Sequence, residues 1–290
     1  MELRQVEYAV AVFDRAGFTR AAAALHVTQP SLSQGIRLLE SDLGAPLFHR
    51  VGRRVTPTAA GNAFIGPARQ LLRDVSTVRA AVVAVAGLDA GQLDLVALPT
   101  LAVDPMASVI GRFRRAHPNV AVRLVEPEAA DDVMAMVRDG TCEIGAAELP
   151  GPDDLESVGS AWQEILAVCP PGTELGRRRR LPVARLADMA LIATPPGTST
   201  RRLVDDALAS ARIVPFIAVE TAQREAILPL VLAGAGTSFL PAPLAAEAAE
   251  RGAVVASLQP VLRRRIGFVH RRGPLSPAAV AFLRLAGDGP

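Results

Sequence analysis

Apolar positions at Leu3, Val6, Val10 and Phe13 recur at intervals of three and four, so the spacing predicts an amphipathic helix over residues 2–16, closed by Gly17. Thr19 offers an N-cap to a short Ala-rich helix ending at Leu25, and His26-Val27-Thr28 makes a turn. Thr28 is a further N-cap, with Pro30 in the first turn of a third helix whose apolar stripe is Leu32, Ile36, Leu39 and Leu43. A separate face of that helix carries Gln29, Pro30, Ser33, Gln34 and Arg37, with Ser31 in the same first turn. After Gly44, residues 47–56 read as two short strands joined by a glycine turn, with Arg50, Arg53 and Arg54 at or beside its tip.

From Thr58 onward the pattern lengthens. Phe64, Ala68, Leu71, Val75, Val78, Val82 and Val85 alternate spacings of four and three, a heptad seam suited to pairing with a second copy of the chain. A helix packed on its own domain is the other reading of that seam. A glycine-bounded break at 87–91 follows, and then strand-like runs at 92–98, 120–125, 143–147, 165–169, 191–194, 214–219 and 237–240 alternate with helical ones. Such alternation means an α/β fold, and the number of repeats predicts two small doubly wound lobes with crossovers near 148–162 and 259–266. The expected organisation is a helical unit at 1–58, a linker helix at 59–87 and an α/β unit at 88–290. Within the last, lobe I takes about 92–162 plus 266–290, and lobe II about 163–265.

Composition changes this picture little. With 50% hydrophobic and 21% charged residues the chain has the make-up of a folded globular protein, and no apolar run suffices to span a bilayer. The start lacks the basic-then-apolar layout of a secretory signal, so a cytoplasmic location is expected. A net charge of +2 does not announce a nucleic-acid partner, and all 31 basic residues being Arg carries little weight, because a GC-rich genome produces the same bias. Cys142 and Cys169 form neither a CxxC pair nor a zinc spacing, and both sit in apolar runs as small buried hydrophobes; a redox switch is the less favoured reading. The run Arg177–Arg180 reads as a solvated loop. The four histidines are scattered and no nucleophile or metal motif appears, so neither catalytic nor metal-binding residues are assigned, no cofactor is expected, and the chain is not read as an enzyme.

Placement is more informative than bulk. Amides that pair with adenine, hydroxyls that reach phosphate and an arginine for guanine or backbone share one face of the third helix, beside a basic hairpin suited to a minor groove or phosphates. Phe18-Thr19-Arg20-Ala21-Ala22, then Leu25 to Gln34, Ile36, Leu39-Glu40, Leu43-Gly44, Leu47-Phe48, Arg50 and Thr56-Pro57-Thr58-Ala59-Ala60-Gly61 resemble the N-terminal signature of the LysR-type transcriptional regulators. The resemblance implies an N-terminal winged helix-turn-helix whose Gln29, Pro30, Ser33, Gln34 and Arg37 face the major groove of double-stranded promoter DNA, with Arg53, Arg50 and Arg54 serving the wing. It implies a homodimer or homotetramer built on the linker helix, RNA polymerase as a further partner, and a C-terminal domain of periplasmic-binding-protein architecture that holds a small-molecule effector between its lobes. Gly35 departs from the pattern, where a bulkier residue is usual; a softer helix or a close approach to DNA is expected there.

Ligands of open α/β lobes lie beyond the carboxyl ends of strands, often at helix N-termini that favour anions. Two loops fit, one with Thr100 and Leu101 and one with Gly197, Thr198, Ser199 and Arg201; Thr221 is a weaker third position. Together they suggest a cradle for a carboxylate or other anion, although plain N-capping also accounts for the second loop. An enzyme on the same two-lobed fold leaves the first 58 residues without a purpose, and a transported-solute binder lacks its signal sequence.

Overall fold

A computed structural model describes residues 1–51, 54–84, 91–175 and 179–287, with the backbone alone at 50–51, 54, 76–77 and 79–84. Arg53, Val85, Arg177 and Arg178 therefore lie outside the described residues.

The chain opens with α1 (Leu3–Arg15), α2 (Phe18–Ala24) and α3 (Gln29–Leu43), and a hairpin of β1 (Phe48–Val51) and β2 (Arg54–Pro57) follows. Helix α2 starts one residue before Thr19, with extended Gly17 at its N-cap, so Thr19 caps nothing. Thr28 does cap α3: its Oγ1 accepts from the Ser31 amide at 3.4 Å, Pro30 fits the first turn, and Gly44 closes the helix in the left-handed region. Leu32, Ile36 and Leu39 are completely buried with Val12, Ala21, Leu47 and Phe48. Leu43, expected in the same stripe, is 42% exposed, because the last turn of α3 runs past that core.

Helix α4 (Ala59–Ala84) leads to the α/β part: β3 (Gly91–Ala97), α5 (Pro99–Leu101), α6 (Ala107–Ala116), β4 (Val120–Val125), α7 (Ala130–Arg138), β5 (Ile144–Glu148) and β6 (Leu155–Cys169). Then come β7 (Arg180–Pro182), β8 (Ala190–Ala193), α8 (Ser199–Ser210), β9 (Phe216–Glu220), α9 (Arg224–Leu232), β10 (Ser238–Pro241), α10 (Ala242–Glu250), β11 (Val254–Gln259), β12 (Arg263–Arg271) and α11 (Pro277–Gly287). Among the described residues, eight strands form one sheet in the order β4-β3-β5-β12-β6-β11-β7, with β10 also on β6, while β8 and β9 pair separately.

Near the two expected crossovers the chain forms strands. Residues 155–162 are the first half of the 15-residue β6, and 263–266 open β12. These two strands run antiparallel to each other from Arg263 opposite Glu164 to Arg271 opposite Leu155, with a register shift between Ile266 and Phe268, so their pairing passes from lobe to lobe. Each lobe has its own core: Leu95, Phe113, Ile144, Val269 and Phe282 in lobe I, and Ile165, Leu186, Leu208 and Leu258 in lobe II. No helix among the described residues is long and apolar enough to cross a membrane.

Candidate functional site

Helix α3 and the hairpin are held as one unit. The Glu40 carboxylate on α3 accepts the Leu47 amide at 2.8 Å and the Phe48 amide at 3.3 Å, fixing where the hairpin leaves the helix. The Thr58 hydroxyl donates to the Pro46 carbonyl at 2.6 Å, and a Cβ on Gly61 would stand 2.1 Å from the Leu47 carbonyl oxygen, so only glycine lets α4 pass so close. Phe18 meets Phe48 edge to face across the same junction.

On the outer face of α3, Gln29, Pro30, Ser31, Gln34 and Arg37 are exposed. Ser33 is not: it is 3% exposed, and its hydroxyl accepts from the Gln29 side-chain amide at 2.9 Å. It positions Gln29 from within rather than standing on the open face. Gly35 is also explained from within. A Cβ there would come within 2.7 Å of Cδ2 of Tyr8, so the glycine seats the Tyr8 ring of α1, and neither helix softness nor approach to DNA is needed to account for it. Arg50 and Arg54 pair opposite Val55 and Val51 in the hairpin, with their side chains outside the described residues.

The seam of α4 divides. Phe64 packs against the core of the three-helix unit and Ala68 is buried, so both are occupied within the chain. Leu71 is 38% and Val78 64% exposed, and Val75 is half-buried between them. The side chain of Val82 and all of Val85 are outside the described residues. Arg69 on α4 donates to Asp14 of α1 and, at 2.8 Å, to Asp139 after α7, a bridge from the helical unit to lobe I.

Between the lobes the organising residue is Arg264 of β12, with a side chain 3% exposed. Its Nε and Nη2 donate to Oε1 of Gln163 at 2.9 and 2.6 Å, Nη1 to Glu148 at 2.8 Å and to Ser199 at 2.6 Å, and Nη2 to Thr100 at 2.7 Å. Burial lowers the Arg264 guanidinium below the usual arginine value, and the neighbouring Glu148 carboxylate opposes that shift. One cation thus joins α5 and β5 of lobe I, both crossing strands and the start of α8. A buried arginine tolerates this position only because its donors find acceptors.

The expected anion cradle is consequently spent on internal contacts. Thr100 and Ser199 serve Arg264, and Ser199 also donates to Glu148. Thr198 is the N-cap residue of α8, but its hydroxyl bonds Thr194 at 2.6 Å and the Pro195 carbonyl at 3.1 Å, not the helix amides. Arg201 is taken by Asp205, Glu220 and the Thr194 carbonyl. Leu101 is fully buried in the lobe I core, Gly197 makes a left-handed turn, and Thr221 accepts the Gln223 amide ahead of α9. Of these positions Thr100 and Ser199 join the lobes through Arg264, Thr198 and Arg201 are bonded within lobe II, and Thr100 and Arg201 also line an open space.

The open space is a cavity of about 360 Å³ that runs from Pro99 and Thr100 into lobe II, walled by Ile192, Val204, Ile217, Ile227, Phe239 and Leu240. Two polar atoms on its wall are buried without a partner: the Thr200 hydroxyl and Nε of Arg224. Arg224 also donates to Glu128 of lobe I, so an ion pair ties this lining residue of lobe II to the other lobe.

A family model described as the LysR substrate binding domain matches residues 86–289. Another, described as bacterial regulatory helix-turn-helix protein, lysR family, matches residues 3–62. The chain belongs to the LysR family. LysR-type proteins of this kind are DNA-binding transcriptional regulators with an effector-binding domain. Among similar proteins, the SDS degradation transcriptional activation protein of a Pseudomonas species is 33% identical over 300 residues, spanning 99% of this chain and 96% of its own. The regulator TfdT of Cupriavidus pinatubonensis is 35% identical over 202 residues, 68% of this chain and 86% of its own. Full-length OxyR of Pseudomonas aeruginosa shares the fold of this LysR-type regulator, with a TM-score of 0.79 at 23% identity, covering 99% of this chain and 94% of that one. Full-length CbnR, solved with its target DNA, superposes with a TM-score of 0.64 at 24% identity over 99% of both chains.

Sequence reasoning missed Arg264, Gln163, Glu148 and Arg224 in this LysR-type regulator. Arg264 stands in Arg263-Arg264-Arg265, a run with no apolar position to mark it as part of a buried strand. The available signal was alternation: a strand there turns the middle arginine to the opposite face from its neighbours.

Proposed function

We propose that this LysR-type regulator occupies promoter DNA as a homodimer or homotetramer and changes its grip when a small molecule enters the cavity between its lobes. The observation that carries the reading is the open polar face of α3 beside a hairpin anchored to it by Glu40. Gln29, Pro30, Ser31, Gln34 and Arg37 read base edges and phosphates, and Arg50, Arg53 and Arg54 hold the backbone beside the groove. Residues 1–58 form the DNA-binding unit, 59–87 the pairing linker and 88–290 the sensing unit. The protein acts in the cytoplasm, with RNA polymerase as its further partner at the promoter, and has no catalytic role, in keeping with relatives that are regulators.

The effector is an amphipathic molecule. Its apolar body fits the aliphatic wall of lobe II, and a carboxylate or other acceptor group takes the unpartnered donors of Thr200 and Arg224. An acid bound there competes with Glu128 for Arg224, so it acts on the ion pair that spans the lobes. A ligand shifts the grip only by its difference in affinity for the two lobe arrangements. A mobility-shift assay with DNA from beside the protein's own gene tests the reading. Retardation at low salt that weakens as salt rises is expected; no binding at low salt overturns it.

A further inference from the structure

The apolar cavity reaches well beyond the lobe I residues at its entrance. In lobe II, β8 and β10 meet at an isolated bridge, where the Thr237 amide donates to the Ala190 carbonyl and the Ile192 amide to the Thr237 carbonyl, both at 2.8 Å. Past that bridge they part. Strand β8 pairs with β9 and β10 with β6, and the next link between them is a side chain, the Ser238 hydroxyl donating to the Ile192 carbonyl at 2.9 Å.

The cavity lies in this parting. Leu191 of β8 and Phe239 of β10 pack with Val204 and Leu208 of α8, whereas the next residues, Ile192 and Leu240, pack with Ile227 of α9 and Ala245 of α10. Neighbouring residues of a strand point to opposite faces, so the two groups belong to the two sides of the sheet layer. Leu191, Ile192, Phe239 and Leu240 nonetheless line one cavity. It therefore passes through the layer between β8 and β10 instead of stopping against one face. Its lining continues to the half-buried Leu228 of α9 and Leu244 of α10, and ends at Glu247 and Arg251, which are exposed.

The bridge limits the width. Bonded strands stand about 4.8 Å apart, so two strands still joined at Leu191 and Thr237 open only a slot a residue or two further on. A slot of this kind admits the cross-section of a polymethylene chain more readily than a ring. An apolar cavity without a filling also forfeits dispersion contacts for every side chain around it, and a chain threaded through it restores them.

We propose that the cavity takes an unbranched aliphatic chain threaded between β8 and β10, so that the effectors of this regulator are linear alkyl or acyl compounds whose length it measures. The inference rests on the reading of this cavity as the effector site but not on the head group, because burial of methylenes drives it. It also connects the ligand to the lobes. Strand β8 ends five residues before α8, whose Ser199 accepts from Arg264 at 2.6 Å, so a chain wedged beside β8 bears on the junction between the lobes.

Calorimetric titration of the full chain with 1-butanol, 1-hexanol, 1-octanol and 1-decanol, and with the matching carboxylates, tests it. Affinity should rise about fourfold per methylene until the passage is filled and then level off, and 1-hexanol should bind at least about tenfold tighter than cyclohexanol. Leu244→Trp and Leu228→Trp, at the far end, should each stop the gain at a shorter chain while 1-butanol binds as before. Affinity independent of length in both series, or cyclohexanol binding as tightly as 1-hexanol, overturns the proposal without any variant. A length profile unmoved in both tryptophan variants overturns it too. The head group is judged separately. Carboxylates that bind regardless of length, and lose binding in Arg224→Gln, overturn the threaded chain and keep the acid reading. Alcohols that tighten with length, with carboxylates no tighter, keep the threaded chain and overturn the acid.

Discussion

Nη1 of Arg264 donates to Oγ of Ser199 at 2.6 Å, joining the strand that crosses between the lobes to the first turn of α8. The same guanidinium reaches Thr100, Glu148 and Gln163, so its removal takes a shared donor from four polar side chains at once. Arg264→Met should destabilise the chain by about 3–5 kcal/mol, because the carboxylate and hydroxyls lose their donor while staying in place. Arg264→Lys should recover only part of this, since a single ammonium cannot serve the fork. Urea unfolding followed by circular dichroism measures both; an unchanged midpoint in the Met variant would show that the lobes do not depend on this cluster.

At Gly35 two effects oppose each other. Alanine in mid-helix is favoured over glycine by about 1 kcal/mol, yet its Cβ would lie 2.7 Å from Cδ2 and 3.0 Å from Cε2 of Tyr8. Both atoms belong to a rigid ring whose residue is 7% exposed, so the ring cannot swing aside as the tip of a long chain would. The clash should win, and Gly35→Ala should lower stability by about 1–2 kcal/mol. In a Tyr8→Leu background the same substitution should become neutral or stabilising. Equal effects in the two backgrounds, measured by thermal unfolding, would dissociate Gly35 from Tyr8.

The exposed face of α3 is tested by its chemistry. Arg37→Ala and Gln29→Ala should each weaken DNA binding by about 1–3 kcal/mol with native circular dichroism. Ser33→Ala should act more weakly and through Gln29, whose amide it holds at 2.9 Å. A Ser33→Ala loss that persists in a Gln29→Ala background would show that the serine contacts DNA itself.

What can be read of this fold from its sequence depends on how far apart along the chain the interacting residues lie. Helix α3 was legible because its signals are local: a 3.6-residue stripe, Thr28 at one end and Gly44 at the other. The two crossing strands were hidden because neither shows a steady apolar run. The first half of β6 is mostly exposed on both faces, and β12 opens on three arginines. Arg264 is buried by partners 65, 101, 116 and 164 residues away, a relation no window of sequence contains. The effector loops were found by residue type, but whether a hydroxyl is open or spent is decided by such distant partners. Along α4 the heptad spacing marks Phe64, Ala68, Leu71 and Val78 alike, and only the folded chain separates the two that pack inward from the two left outside.

The thiols should be silent. Cys142 lies in the lobe I core and Cys169 in the lobe II core, both completely buried, so they are not placed to join. Burial pushes the Cys142 thiol from 9.0 up to about 12, and Cys169 shifts in the same direction for the same reason. A thiol-specific reagent at pH 8 should therefore label neither in the native protein and both after denaturation. The folded pKa of Cys142 is the higher, so its contribution to stability is complete below about 9 and declines as pH rises from there to about 12. Rapid labelling of native protein, or a peroxide-induced disulfide, would contradict this.

The linker gives a prediction that separates two uses of one helix. Leu71 and Val78 lie seven residues apart, two turns of α4, and both expose apolar surface to solvent, whereas Ala68 is already covered by the chain itself. Placing charge at the exposed pair removes burial available only to a second copy and leaves the internal packing of Phe64 and Ala68 intact. Leu71→Asp with Val78→Asp should thus yield a folded monomer by light scattering, with a native circular dichroism spectrum. Its DNA binding should fall more steeply than the loss of any single base contact, because two linked recognition helices gain from effective concentration and one alone does not. Full-sized oligomers in that variant would locate the contact between copies away from α4.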